Sequence, residues 1–285
     1  MTKLIISTLP ILIAAALAAA ASDTRPGREA TEPNTYVLIA AGMLKDPAEQ
    51  QNADRAAADL GRFFLYNSPS VRGRLRILTG PGSRIRPGPT ISTSTAANLR
   101  ETIRTFAASA GPQDRFIFYY VGQANIVGDD LRFNLPGPDI THRQLAEWIN
   151  TIPAGSKLIV LDCPGAGLAA GAMTAPSRII VCGCTAEQPY ATRFSEYFVP
   201  ALLQAESDAD NDGRVSLLEA FTHAAKQIDD WYRRQSLLKT ETAVLEDNGD
   251  GVPSPQPWRY RQENSDGLAA SKFFLKPHSS KAAPS

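Results

Sequence analysis

Imidazole and thiol groups are scarce in this chain: 3 histidines and 3 cysteines among 285 residues. Cys163, Cys182 and Cys184 do not make a disulfide framework. One bridge from Cys163 to either Cys182 or Cys184 would leave a free thiol; the other reading is three small buried strand residues. His142 opens a predicted helix, His223 lies inside an amphipathic one and His278 is in the tail. None follows an apolar strand, so each reads as a surface or packing residue rather than a base. Charge imbalance is missing too: Lys+Arg and Asp+Glu are both 29, and no basic run occurs. That argues against nucleic acid or an anionic membrane surface as partner. Beyond the N-terminus no apolar stretch is long enough to span a bilayer, and there is no internal repeat.

What is present starts with an N-terminal pattern of export. Lys3 precedes a mostly apolar run, residues 4–17, and Ala18 to Ala21 offer small residues for cleavage before Ser22. Ser7, Thr8 and Pro10 interrupt the run, which falls short of the ~20 strongly apolar residues of a membrane anchor. Residues 1–21 are therefore expected to be a cleaved signal, 22–34 a polar leader, and the mature chain periplasmic or secreted.

Apolar runs then alternate with helical patterns. Strands are expected at 36–43, 74–79, 114–121, 156–163 and 178–184, and helices at 47–66, 94–110, 141–152, 191–206 and 216–236. Residues 80–93 read as a Gly/Pro-rich loop, 125–138 as an irregular loop or short hairpin, and 253–285 as a mostly irregular or disordered tail. Strands that are near-continuous Val/Ile/Phe/Tyr runs suit a parallel sheet buried on both faces. The alternation predicts one α/β domain over 35–252: a three-layer α/β/α sandwich with a mostly parallel sheet. In such sheets, sites form at the carboxyl ends of the strands.

Two of those strand ends carry a family resemblance. Residues 116–124 read FIFYYVGQA and residues 158–167 read LIVLDCPGAG. Both resemble strand ends of the caspase, metacaspase and legumain group of cysteine peptidases, which end in a Gly-His-Gly-like turn and in Asp-x-Cys-x-Ser-Gly. Residues 133–139 (FNLPGPD), 179–185 (IIVCGCT), 192–198 (TRFSEYF), 208–219 and 245–251 (LEDNGDG) are similar, in order, to blocks of the bacterial, exported, legumain-like members. The resemblance covers about residues 36–252 and implies a caspase-like fold. It also implies acyl transfer, in which a thiolate attacks a peptide carbonyl, an imidazole handles protons and backbone N–H groups hold the oxyanion. Here Gln123 stands at the position of the histidine and Pro164 at that of the cysteine. An amide does not titrate near neutral pH, and proline has neither nucleophile nor N–H. Cys163 is the fallback nucleophile, but a one-residue shift on a strand turns a side chain to the opposite face. Asp162 is expected to cap the turn or to bond neighbouring N–H groups.

The strongest chemical motif is 208–219, which fits the twelve-residue EF-hand loop. Asp208, Asp210 and Asp212 fill its alternating acidic positions, Gly213 permits the sharp turn, Arg214 offers its carbonyl, Ser216 acts through water and Glu219 closes the loop with both oxygens. Acidic groups so close repel unless a cation sits among them. A solvated acidic turn before a Ser216–Glu219 capping box is the alternative; it leaves the alternating aspartates and Gly213 unexplained. Asp247 to Gly251 reads as a tight Asn-Gly turn, with extra metal ligands as its second reading.

The expectation is an exported caspase/legumain-like homologue without catalytic activity, a calcium-stabilised module holding a peptide or protein partner in its cleft. The alternative is an active cysteine peptidase with an atypical site on Cys163.

Overall fold

The computed structural model describes residues 33–81, 83, 91–260 and 264–276. The expected signal segment (1–21), most of the leader (22–34) and the last residues of the tail, with His278, lie outside them.

The chain forms the three-layer α/β/α sandwich. In order come β1 (Thr35–Ala41), α1 (Pro47–Asn67), β2 (Leu75–Thr79), β3 (Ile91–Thr93), α2 (Ala96–Ser109), β4 (Arg115–Val121), β5 (Ala124–Val127), β6 (Asp130–Phe133), β7 (Ile140–Thr141) and α3 (His142–Asn150). After these come β8 (Ser156–Asp162), α4 (Ala170–Met173), β9 (Arg178–Cys182), α5 (Phe194–Ala201), α6 (Leu217–Arg234) and β10 (Val244–Glu246). The main sheet runs β10-β9-β8-β4-β1-β2-β3, with only β10 antiparallel to its neighbour. A small antiparallel sheet, β5-β6-β7, branches off after β4.

The period of two along the strands sorts side chains onto two faces. Val37, Ile39 and Ala41 of β1 point towards α1, α5 and α6. Tyr36, Leu38 and Ala40 point towards α2, α3 and α4. Every residue of β1 is buried, as a doubly covered parallel strand requires. Side-chain caps start α1, α2 and α3: Asp46 accepts from the amides of Ala48 and Glu49, Thr95 caps α2, and Thr141 with Gln144 forms a capping box on α3. No described helix is long and apolar enough to cross a membrane.

Three short strands carry no pattern of their own; the two-residue β7 runs into the stretch read as helix 141–152. β3 lies in the stretch read as loop, and β10 lies between a Thr-rich segment and the Asn-Gly turn. Three residues are too few to establish a period. The expected helix 191–206 is shorter, because residues 192 and 193 are held by buried carboxylates and Pro200 removes an N–H near the other end. The hairpin expected in 125–138 is present as β5–β6.

Beyond residue 252 the chain follows the core. Phe273 and Leu275 are buried against the α1–α5–α6 face with Trp258 beside them, and the Leu217 N–H donates to the Phe273 carbonyl at 2.8 Å. Phe273→Ala is expected to cost about 3 kcal/mol of unfolding free energy. A urea titration reads this as a lower midpoint at unchanged slope.

Candidate functional site

The strand order reverses between β1, which leads outward to β2 and β3, and β4, which leads to β8 and β9. Open α/β sheets bind ligands outside the carboxyl ends at such a switch point. A cleft of about 930 Å³ lies there, lined by Gly122 and Gln123 after β4 and by Asp162 and Pro164 at the end of β8. It continues between α1 and α5, past Ala56, Phe63, Val199 and Leu203. The two positions singled out in the sequence, Gln123 and Pro164, thus face one cleft.

Close packing fixes the β4 turn. A side chain on Gly122 would place its Cβ 2.8 Å from the backbone of Gly42, so only glycine lets the β1 and β4 ends approach this closely. The Tyr120 hydroxyl donates to the Gln123 carbonyl at 2.7 Å and to that of Asn134 at 3.2 Å. The Gln123 amide nitrogen donates to the carbonyl of Ala124 at 3.0 Å. It is a local bond, with no titrating group to receive it.

The β8 turn is equally closed. Pro164 has no N–H, and the next three amides are engaged: Gly165 with the Gln188 carbonyl (2.9 Å), Ala166 with Cys163 (3.3 Å) and Gly167 with Cys184 (3.0 Å). The Gly122 N–H donates to the Asp162 carbonyl at 3.1 Å. An oxyanion needs donors aimed at it, and these amides point into the protein instead. Gly165 has a left-handed φ of 67°, and the Ile126 side chain from the hairpin packs over it.

Cys163 does not reach the cleft. It is fully buried on the α2–α4 face. Burial, then the neighbouring Cys184, Asp162 and Cys182, push its thiol well above the ordinary cysteine range. Burial pushes Cys184 up to about 12, and its thiol donates to the Cys163 carbonyl at 3.2 Å. All three cysteines are free thiols. His142 is buried beside the hairpin, its Nδ1 accepting from the Leu131 N–H at 3.2 Å. Burial holds this imidazole below its ordinary pKa. Neither it nor His223 lines the cleft.

The polar floor is Asp162. Its carboxylate accepts from the Thr192 hydroxyl, the Ser195 hydroxyl and, at 2.8 Å, the Ser195 N–H. The Ser195 and Tyr119 hydroxyls pair at 2.8 Å. Burial raises the Asp162 pKa above the usual carboxylate range, although these bonds pull the other way. Asp162 therefore caps the start of α5, whose own N-cap residue, Arg193, supplies no side-chain bond. A second buried carboxylate, Glu241, accepts the Arg193 N–H at 2.7 Å and the Tyr232 hydroxyl at 3.1 Å. Asp162 was legible as a capping residue. Ser195 and Thr192 were visible only as part of a resembling block, and Glu241 in its Thr-rich stretch carries no sequence signal.

The acidic loop lies elsewhere, before α6. Oxygens of Asp208, Asp210 and Asp212 gather within 4.8 Å of one another. Gly213 has φ 83°, the sharp turn expected there. Glu219 folds back over the loop: Oε1 accepts from Ala209 N (2.9 Å) and Oε2 from Ser216 N (2.8 Å). The Ser216–Glu219 capping box is present as well. Asp210 sits above its usual pKa: the Asp212 amide draws it down, but desolvation and the Glu219, Asp212 and Asp208 charges outweigh that. The Arg214 guanidinium lies 3.4 Å over the Phe274 ring. In the Asp247–Gly251 turn, Asp247 accepts from Gly267 N (2.8 Å) and Ala270 N (2.7 Å), so its carboxylate holds the C-terminal segment.

No protein-family model matches this chain, and no curated protein does. Among solved structures, that of the Drosophila initiator caspase Dronc is similar, with 10% sequence identity, 84% of this chain and 93% of that one covered, and a TM-score of 0.44.

Removing the floor carboxylate strands a buried N–H and two hydroxyls. Asp162→Ala is expected to lower stability by about 2–4 kcal/mol. Asp162→Asn, which keeps one acceptor oxygen, should cost less; chemical denaturation of the two variants checks the order.

Proposed function

We propose that this chain is an exported, non-catalytic member of the caspase/legumain-like peptidase group, which binds a peptide or protein segment in the strand-end cleft. The observation that carries the reading is the pairing of Gln123 with Pro164 across one cleft. Those are the positions of base and nucleophile in the group it resembles, and neither side chain can do that work. The engaged amides of Gly165, Ala166 and Gly167 support it further. A cleft of about 930 Å³ whose walls mix apolar side chains with charged ones such as Arg55, Asp59 and Arg193, over a carboxylate floor, suits several side chains of a peptide. The alternative, a working peptidase on Cys163, finds no support in a thiol that is fully buried and far from ionising.

Calcium is the cation proposed for the 208–219 loop. Asp208, Asp210, Asp212 and Glu219 would hold it by side chain, Arg214 by its carbonyl and Ser216 through water. The donor set is all oxygen, which suits a hard cation. Gathered carboxylates and the left-handed Gly213 favour this over a plain acidic turn. A bound cation would offset part of the charge of the four carboxylates and stabilise the fold. Export, proposed from the N-terminal pattern, would put the loop where calcium is plentiful.

Two measurements test the reading. Incubation of the pure chain with a mixed peptide library and millimolar calcium should yield no alkylation-sensitive cleavage, and Ala56→Arg in the cleft wall should weaken capture of any retained peptide at least tenfold. Cleavage abolished by Cys163→Ser would overturn the non-catalytic assignment. Calcium should raise Tm by mass action, the equivalent of about 2.7 kcal/mol at a hundred times Kd. An unchanged Tm, or an equal rise in Asp208→Ala, would refute the cation site.

A further inference from the structure

We propose that Glu241 is a proton-operated latch on the cleft wall: exchange of one proton at this carboxyl shifts the 192–196 segment and the Arg193 side chain stacked on Trp231. The inference concerns the wall itself and holds whatever the cleft binds.

Glu241 is fully buried in the link between α6 and β10. Its Oε2 takes the Arg193 N–H, and its Oε1 takes the Tyr232 hydroxyl, which also pairs with Thr240 at 2.8 Å. The next residue, Thr242, donates its N–H to Gln188 Oε1 at 2.8 Å, and the same oxygen takes the Thr185 N–H at 3.0 Å. The link thus bolts the whole 185–193 loop from beneath. Neighbouring residues of the wall go to different carboxylates: Thr192 and Ser195 to Asp162, Arg193 to Glu241.

The groups facing Glu241 are Asp162 from β8, Cys184 after β9, Arg193 and Tyr197 from the α5 end, and Tyr232 from α6. Arg193 is the one cation among these, and its guanidinium is engaged elsewhere. It bonds Glu196 at 2.7 Å and lies 3.8 Å above the Trp231 ring. A charged Glu241 is therefore a buried anion with no guanidinium directly on it, beside a second buried carboxylate. Both cannot comfortably ionise under one short segment. Burial pushes the Glu241 carboxyl up to about 7, so the proton leaves in the neutral range. Pairing a buried anion outweighs a half-exposed contact with Glu196 and Trp231. Ionisation then draws the Arg193 guanidinium inward, and Arg193 lines the cleft.

Trp231 is a built-in reporter. The chain has 3 tryptophans, and a Trp148→Phe, Trp258→Phe background leaves Trp231 alone. Its emission should titrate between pH 5.5 and 8.5 with a midpoint near 7, and the change should vanish in Glu241→Gln. Because the folded pKa is raised, the stabilisation is full below the ordinary glutamate range and is lost as pH rises through about 7. Tm should therefore fall between about pH 4.5 and 7 in the wild type and stay flatter in Glu241→Gln. Arg193→Gln should abolish the emission change while the fall in Tm persists. If Glu241→Gln does not fold, Tyr232→Phe substitutes: it removes a donor to the carboxylate, so the midpoint should move up. A flat wild-type titration, the same transition in Glu241→Gln, or an unmoved midpoint in Tyr232→Phe would overturn the proposal.

Discussion

The buried carboxylate of Asp162 joins the end of strand β8 to the start of α5, and the position of the cleft follows from that link. A helix start leaves amides without partners and favours negative charge. In α5 this place is taken by the protein's own carboxylate, since Arg193 contributes no side-chain cap. The Tyr119 hydroxyl, bonded to Ser195, ties the neighbouring strand β4 into the same cluster. Desolvation and hydrogen bonding oppose each other at Asp162, and desolvation wins. The group is thus costly to bury and costlier to remove, as for any buried charge whose donors would be orphaned. The start of α5 is thus tied to the sheet through Asp162, the polar floor of the cleft.

The same economy of donors explains why Pro164 is tolerated. A strand-end turn that held an oxyanion would need amides facing outward. Here the amides after Pro164 all satisfy carbonyls of the 184–188 loop or of the turn itself. Proline loses nothing in such a turn, because no N–H at that point has work to do. The Gln123 turn is likewise organised around backbone: Tyr120 bridges the carbonyls of Gln123 and Asn134 and fills the space beside Gly42. Both turns are held by bonds to backbone carbonyls, with the buried Asp162 carboxylate beside them.

The layers and the long strands could be read from the chain because their residues are apolar throughout, and burial on both faces demands that. Gln123 and Pro164 could be placed at strand ends for the same reason: each closes an unmistakable apolar run. β3 and β10 could not, since three-residue strands are specified by their neighbours rather than by their own pattern. Glu241 is the clearest case of what stays hidden. It lies in an unpatterned stretch flanked by threonines, and only the tertiary fold brings Arg193 N–H and Tyr232 to it. The partners of Asp162 are in sequence some thirty residues away, so a capping role was legible and the identity of the cap was not.

The long helix α6 sets the relation between the two regions of interest. Its first residues follow the acidic loop, where Leu217 N–H meets the Phe273 carbonyl and Arg115 at the start of β4 bonds that of Phe274. Its last turn carries Trp231 and Tyr232 to the cleft wall and to Glu241. Eighteen residues span about 27 Å at the α-helical rise, so a charge on one end is screened from the other over several Debye lengths. Direct electrostatic communication between the acidic loop and the wall is therefore negligible. Anything passing between them must travel as a displacement of the helix, which the buried face through Leu217, Phe221, Ile228 and Tyr232 resists. A cation at the loop would thus act on stability as a whole, while the wall answers to protons at Glu241.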